Sequence, residues 1–403
     1  MKKIMCFYMA LCSLVMSSCS GIGANYREVE ELLVIQTMGL DSLPGGVGLS
    51  LAVAPNSISG LGPVRLSGSG STIAGAIDDA RRRSYEEELF YSNVNNILIG
   101  EKAAREGIGE YMSYICQSPE FRVDTPVFLI KGATAEDCIM KSGDEVSGIS
   151  DILQGLRICL ENRGGIIYSA SDIVRSSLRN GSALVCALEL SESSQTSSGS
   201  PKDEEEKTPG EKDAAPKGGK DSPQGLSPAV CGYGIIKDRK LCGYIDLEDA
   251  LGLSFLTDHV GTSEVKVRGK SGGTVTLQIS GGGSDISPRR GENGQLTGLD
   301  ISADVSACVV EIEGKGDLSD GEYADFLTAR LEEYVSDKIG KVLKLSGKLG
   351  ADFAGLASRV EPSDPRAFRS LSSVFSDLLP SLELRVSVRG ELKHTNDIKD
   401  TWT

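Results

Sequence analysis

The chain has 403 residues, about two to three domains' worth. Its 42 Lys and Arg against 57 Asp and Glu leave a formal charge of −15, which repels nucleic acid and argues against docking on anionic lipid by a basic patch. Apolar residues at 39% suffice for cores of moderate size, and two histidines, His259 and His394, leave little for metal sites or acid–base catalysis.

The N-terminus reads as an export signal over residues 1–18. Lys2 and Lys3 precede an apolar stretch from Ile4 to Met16, too short to span a bilayer but the right length for a signal core. Met16-Ser17-Ser18-Cys19 places a small residue before a cysteine and resembles a bacterial lipobox. Cleavage there makes Cys19 the lipid-bearing N-terminus. Cys6 and Cys12 lie inside the apolar run, after Met5 and Leu11. The bland alternative is an ordinary secretory signal cut near Ser18. No later stretch reaches membrane-spanning length, so a soluble, tethered body is expected. Seven cysteines remain after Cys19, at wide spacing and without a CxxC pair. Small buried apolar side chains are the expected role for most of them, and no disulfide is assigned.

Residues 19–190 read as an α+β domain. Leu32 to Leu40 is a strand, Asp41 to Gly46 a turn, and Val47, Leu49, Leu51 and Val53 alternate along a second strand. Ile73, Ala76, Ile77 and Ala80 have helical spacing after a cap at Ser71. Val94–Ile99 is a strand ending at Gly100. A helix carrying Ile108, Tyr111, Met112 and Ile115 stops before Pro119, and strands follow at Pro126–Ile130 and Ser182–Leu190.

Residues 191–228 hold Pro201, Pro209, Pro216, Pro223, Pro228 and an acidic run at 203–206, without an aromatic residue. They read as a disordered charged linker between two independently folded halves. In the half at 229–403, Gly232–Ile236 and Leu241–Ile245 form a hairpin, and Asp246 caps a helix through Phe255. Val265 and Val267 precede Gly269-Lys270-Ser271-Gly272-Gly273, and Val275, Leu277 and Ile279 alternate after it. A division near 295 separates a small β-rich part from a helix-plus-sheet part, whose long helix is bent or broken at Gly340 and Gly347. Leu382, Leu384, Val386 and Val388 alternate with Glu383, Arg385, Ser387 and Arg389 along a last strand. The fold class expected is α+β: several domains, mixed sheets and packed helices on a lipid tether.

Chemical motifs largely fail on context. Gly269–Gly273 has the letters of GxSxG, but a nucleophile elbow needs a helix after it and here a strand follows. The same residues end like a P-loop, with Glu264 where glycine is required. Gly68-Ser69-Gly70 lacks the third glycine of a dinucleotide fingerprint, and Asp258-His259 has no serine elbow to complete a triad. Asn180-Gly181-Ser182 is a sequon that an exported bacterial chain rarely uses. No catalytic residue, metal site or cofactor site is assigned, and the chain is read as not an enzyme.

Asn25-Tyr26-Arg27-Glu28 leads into a strand ending Gly39-Leu40-Asp41. Ile97-Leu98-Ile99-Gly100-Glu101 runs on to Ala104-Arg105-Glu106-Gly107-Ile108. Pro119-Glu120-Phe121-Arg122 and the hairpin Gly232–Ile245 follow, then Glu248 and Gly252. In this order after a lipobox, these motifs resemble the Ger(x)C family, the C-subunit lipoproteins of spore nutrient germinant receptors. The resemblance implies a multi-domain α+β fold without cofactor. It also implies a place on the outer face of the spore inner membrane, beside A-type and B-type integral-membrane subunits. Whether such a subunit touches the nutrient is left open. Two alternatives from other classes are an exported lipid-anchored solute-binding protein and a lipoprotein hydrolase using Ser271.

Overall fold

A computed structural model describes residues 32–54, 64–84, 88–142, 148–192, 226–314, 318, 320–360 and 374–393. The lipidation motif, most of the linker at 191–228 and His394 lie outside these residues.

The first strand, β1 (Leu32–Leu43), turns through Gly45 (φ +81°) into β2 (Gly46–Val53), which pairs antiparallel with β3 (Arg65–Gly70). Helix α1 (Ile73–Arg83) buries Ile73, Ala76, Ile77 and Ala80, as their spacing predicts. Its cap is Thr72, one residue beyond the expected Ser71, whose hydroxyl accepts the Gly75 N–H at 3.1 Å. Short β4 (Glu88–Phe90) lies parallel to the start of β1, and β5 (Asn96–Gly100) parallel to its middle. Helices α2 (Glu101–Glu106) and α3 (Gly109–Gln117) lead to β6 (Val127–Lys131). Then come α4 (Ala135–Lys141), α5 (Ile149–Asn162), α6 (Ala170–Asn180) and β7 (Ser182–Glu192).

β8 (Leu226–Lys237) pairs antiparallel with β7 over its full length, from Ser182 opposite Lys237 to Glu192 opposite Leu226. β9 (Lys240–Asp246) adds outside it. Among the described residues one sheet of nine strands therefore runs β3-β2-β1-β5-β6-β7-β8-β9, with β4 beside β1. This corrects the expectation of two independent halves: the chain on both sides of residues 193–225 builds one sheet. The physical reason is burial. Leu184, Cys186 and Leu188 of β7 share a core with Tyr233 and Ile235 of β8, and β7 would lose that neighbour if the halves parted.

Helix α7 (Ala250–Leu256) leads to a second sheet, β10 (Ser263–Arg268), β11 (Thr274–Arg290), β12 (Leu296–Ile312) and β13 (Glu383–Lys393), in that order. Residue 295 sits in the turn between the 17-residue strands β11 and β12, so no domain division falls there. β13 joins β12 parallel. Helix α8 (Gly321–Leu349) covers the sheet with Tyr323, Leu327, Leu331, Val335 and Ile339 buried. It passes unbroken through Gly340 and Gly347, contrary to an expected break, because burial of one face holds the helix where propensity is weak. After it come α9 (Leu356–Val360) and α10 (Phe375–Leu378). Both sheets mix parallel and antiparallel pairs, which makes the protein α+β.

Candidate functional site

Two motifs far apart in sequence meet where β1 and β5 end. The Asp41 carboxylate accepts the Ala135 and Glu136 N–H groups, each at 2.9 Å, and so caps α4 from a neighbouring strand. Burial raises the Asp41 pKa against the pull of these two bonds. The approach of α4 requires glycine on both strands. A Cβ at Gly39 would stand 2.9 Å from Ile139 Cδ1, and one at Gly100 would overlap the Asp41 carboxylate. Glu101 accepts the Gly132 N–H at 2.6 Å and pairs with Arg105. Burial works against its charge, but these partners outweigh it and hold its pKa below the usual carboxylate range. The Gly-Leu-Asp and Gly-Glu motifs thus lock α4 and the loop before it onto the sheet.

The Pro119–Arg122 motif forms the turn after α3. Phe121 is buried edge-on against Tyr91 and Tyr114, at 5.5 and 6.1 Å between ring centres. Glu120 receives two bonds from Arg81, at 2.8 and 2.9 Å. In the β8–β9 hairpin, Asp238 and Arg239 adopt φ of +50° and +65°, the left-handed pair that a two-residue turn demands. The Arg239 carbonyl accepts the Ile108 N–H at 2.8 Å, tying this hairpin to the α2–α3 junction.

Glu248 and Gly252 fix α7 to α8. Lys338, 2% exposed, donates to Glu248 and, at 2.9 Å, to Asp249. Burial pulls the Lys338 pKa down, but the two carboxylates together hold it above the ordinary lysine range. A Cβ at Gly252 would overlap the Lys338 carbonyl. The helix starts at Ala250, so Asp246 ends β9 rather than capping it, and the Asp249 side chain serves Lys338.

The Gly269–Gly273 motif falls between two strands. Ser271 sits in the tight turn between β10 and β11, closed by Gly269 N–H to Gly273 O at 2.8 Å. Asp258 pairs with Arg359 and accepts the Ser284 N–H, while the His259 ring meets the Thr257 carbonyl. All seven cysteines after Cys19 are free thiols, and burial pushes the Cys138 pKa up to about 12 and that of Cys231 to about 11. Among the described residues no group of three or more His, Cys, Asp or Glu is placed to hold a metal ion, and no helix is long and apolar enough to cross a membrane. Sequence reasoning passed over the buried Asp352, whose carboxylate accepts the Leu356 and Ala357 N–H groups at 2.7 and 2.9 Å. An aspartate four residues before a short apolar helix was the available signal.

Fold and motifs together define an α+β protein of two mixed sheets, in which the Gly39–Asp41, Gly100–Glu101, Pro119–Arg122, Gly232–Ile245 and Glu248–Gly252 motifs hold neighbouring elements together. Residues 25–190 match the family model described as spore germination protein N-terminal domain, and residues 231–396 match spore germination B3/GerAC-like, C-terminal. The chain belongs to this spore germination family, the Ger(x)C family of germinant receptor C subunits. Its fold is similar to the crystal structure of the GerBC protein, with a TM-score of 0.55 and 13% identity, over 88% of this chain and 96% of that one. No curated protein sequence matches the chain.

Proposed function

We propose that the chain is the lipid-anchored subunit of a spore nutrient germinant receptor. Acyl chains on Cys19 hold it to the outer face of the spore inner membrane, and it acts with A-type and B-type integral-membrane subunits to trigger germination. It works through protein contact and not through catalysis or a cofactor. The observation that carries this reading is the pair of family matches over both sides of the linker, in the order the motifs predict. The lipid confines the protein beside its partners, so contacts of modest area suffice through high effective concentration. Deleting the protein, in a strain without redundant receptors, should abolish or slow germination by particular nutrients and leave germination by receptor-bypassing agents normal. A normal response to every nutrient would contradict the proposal.

The solute-binding alternative draws on one feature, a cleft of about 750 Å³ lined by Leu156, Val230, Tyr233, Leu251 and Gln278. Calorimetric titration of the protein with nutrients separates the readings, because a binding protein must bind without its membrane partners.

A further inference from the structure

The parallel strands β1, β5 and β6 begin at one end of the first sheet, and the fold starts there too. Asn96, first in β5, pairs with Thr37, so Leu32 lies five residues farther out toward this end, beside Glu88 of β4. The chain between Cys19 and Leu32 spans at most about 45 Å when fully extended. Leu32 thus enters the sheet at this end, within that reach of Cys19.

The surface here differs from the rest of a chain of charge −15. Arg81, Arg82 and Arg83 close α1, and Arg122 and Arg157 line a polar pocket of about 340 Å³ at the starts of β5 and β6. Asn96, Thr125, Ser150 and Gln154 supply hydrogen-bonding groups to the same pocket, Asp124 lines it beside Arg122, and Arg157 Nε, 3.9 Å from Glu161, is buried without a hydrogen-bond partner. The arginines are all matched by acids: Arg82 by Asp78 and Asp79, Arg83 by Asp79, Arg122 by Asp124, Arg81 by Glu120 and, at 3.9 Å, Arg157 by Glu161. The five arginines thus stand against five partner acids, where the whole chain is acidic. Exposed ion pairs of this kind are worth little, so their guanidinium forks can turn to phosphate at small cost. Phe90 and Val123, 40% and 46% exposed, add apolar side chains to the same end.

We infer that the end of the first sheet carrying Phe90, Val123 and Arg122 rests on the bilayer, with the pocket of Arg122 and Arg157 seating a phospholipid headgroup phosphate. The inference rests on the lipid anchor at Cys19. It fixes the orientation in which the protein meets its membrane partners: the β1–β2 turn at Leu43 and Gly45 points away from the lipid.

The test uses the full-length lipidated protein with its single tryptophan removed by Trp402→Phe, carrying Val123→Trp or Leu43→Trp as reporter. Each variant is reconstituted into phosphatidylglycerol–phosphatidylethanolamine vesicles containing a headgroup-depth spin-labelled lipid. Strong quenching of the reporter at 123 and little at 43 is expected. Arg122→Glu with Arg157→Gln should lose the quenching at 123 while the protein still sediments with the vesicles. Sedimentation without quenching at 123, or equal quenching at both positions, would overturn the inference and leave the anchor standing. Failure to sediment, with no acyl label on Cys19, would overturn both. Quenching at 123 that the arginine changes do not alter would overturn the phosphate pocket.

Discussion

Lys338 reaches from the buried face of α8 to Asp249 at the start of α7, with 2.9 Å between Nζ and Oδ1. Its ammonium is buried, while the Glu248 and Asp249 side chains keep 76% and 33% of their surface in water. The cost of breaking this cluster therefore falls on the lysine. Lys338→Ala should lower stability by about 2–3 kcal/mol, through the lost stem as well as the lost charge. Glu248→Gln should cost less than about 0.5 kcal/mol, since Asp249 remains. Because folding raises the Lys338 pKa, the contribution is complete at neutral pH. It is lost only as pH climbs from the ordinary lysine value of about 10.4 through the higher folded value. Urea unfolding at pH 7 and pH 11 measures both effects.

Two glycines separate close packing from helix propensity. At Gly252 a Cβ meets the backbone of Lys338 and Ile339, so Gly252→Ala should destabilise by about 2–3 kcal/mol. At Gly340, inside α8, a Cβ meets nothing within 4 Å, so Gly340→Ala should stabilise by about 0.5–1 kcal/mol. Thermal melts of the two variants should shift in opposite directions.

Asp352 is 1% exposed, and burial pushes its pKa up to about 6 despite the N–H groups that it accepts. A carboxyl whose pKa is raised on folding stabilises most below the unfolded value of about 3.9 and loses that contribution as pH rises through the folded value. The melting temperature of Asp352→Asn should therefore depend less on pH between 4 and 7 than that of the parent. Parallel curves for the two proteins would show that Asp352 does not titrate in this window.

Cleavage between 193 and 225 should not release two domains. β7 and β8 pair over their full lengths, and their side chains share one core. A protein carrying an inserted protease site in this segment should, once cut, elute from a sizing column as one particle and separate only in denaturant. Two particles in native buffer would contradict the shared sheet.

Local structure was legible in the sequence and long-range pairing was not. The alternation at Val47–Val53 and the helical spacing at Ile73–Ala80 give the right elements, because each pattern is set by one buried face. The β8–β9 hairpin was legible for the same reason. Joining β7 to β8 was not, because the charged stretch between them carries no pairing signal and reads as a domain boundary. Gly340 and Gly347 misled, since propensity registers the missing side chain but not the packing that keeps α8 continuous. The motif residues were found by resemblance, whereas their duties were not visible. Asp41 caps a helix that starts 94 residues later, and Glu248 serves a lysine 90 residues on. Contacts of that separation leave no local period.

The central claim is that this chain works as part of a membrane receptor, and co-purification tests it most directly. Spore inner membranes carrying an affinity-tagged copy are solubilised mildly, and the captured proteins are identified by mass spectrometry, with Cys19→Ala as the parallel sample. The account predicts that A-type and B-type subunits come down together with the intact protein and are lost with Cys19→Ala, which should move to the soluble fraction. Capture of the intact protein without either subunit, or membrane retention of Cys19→Ala with its acyl label unchanged, would contradict it.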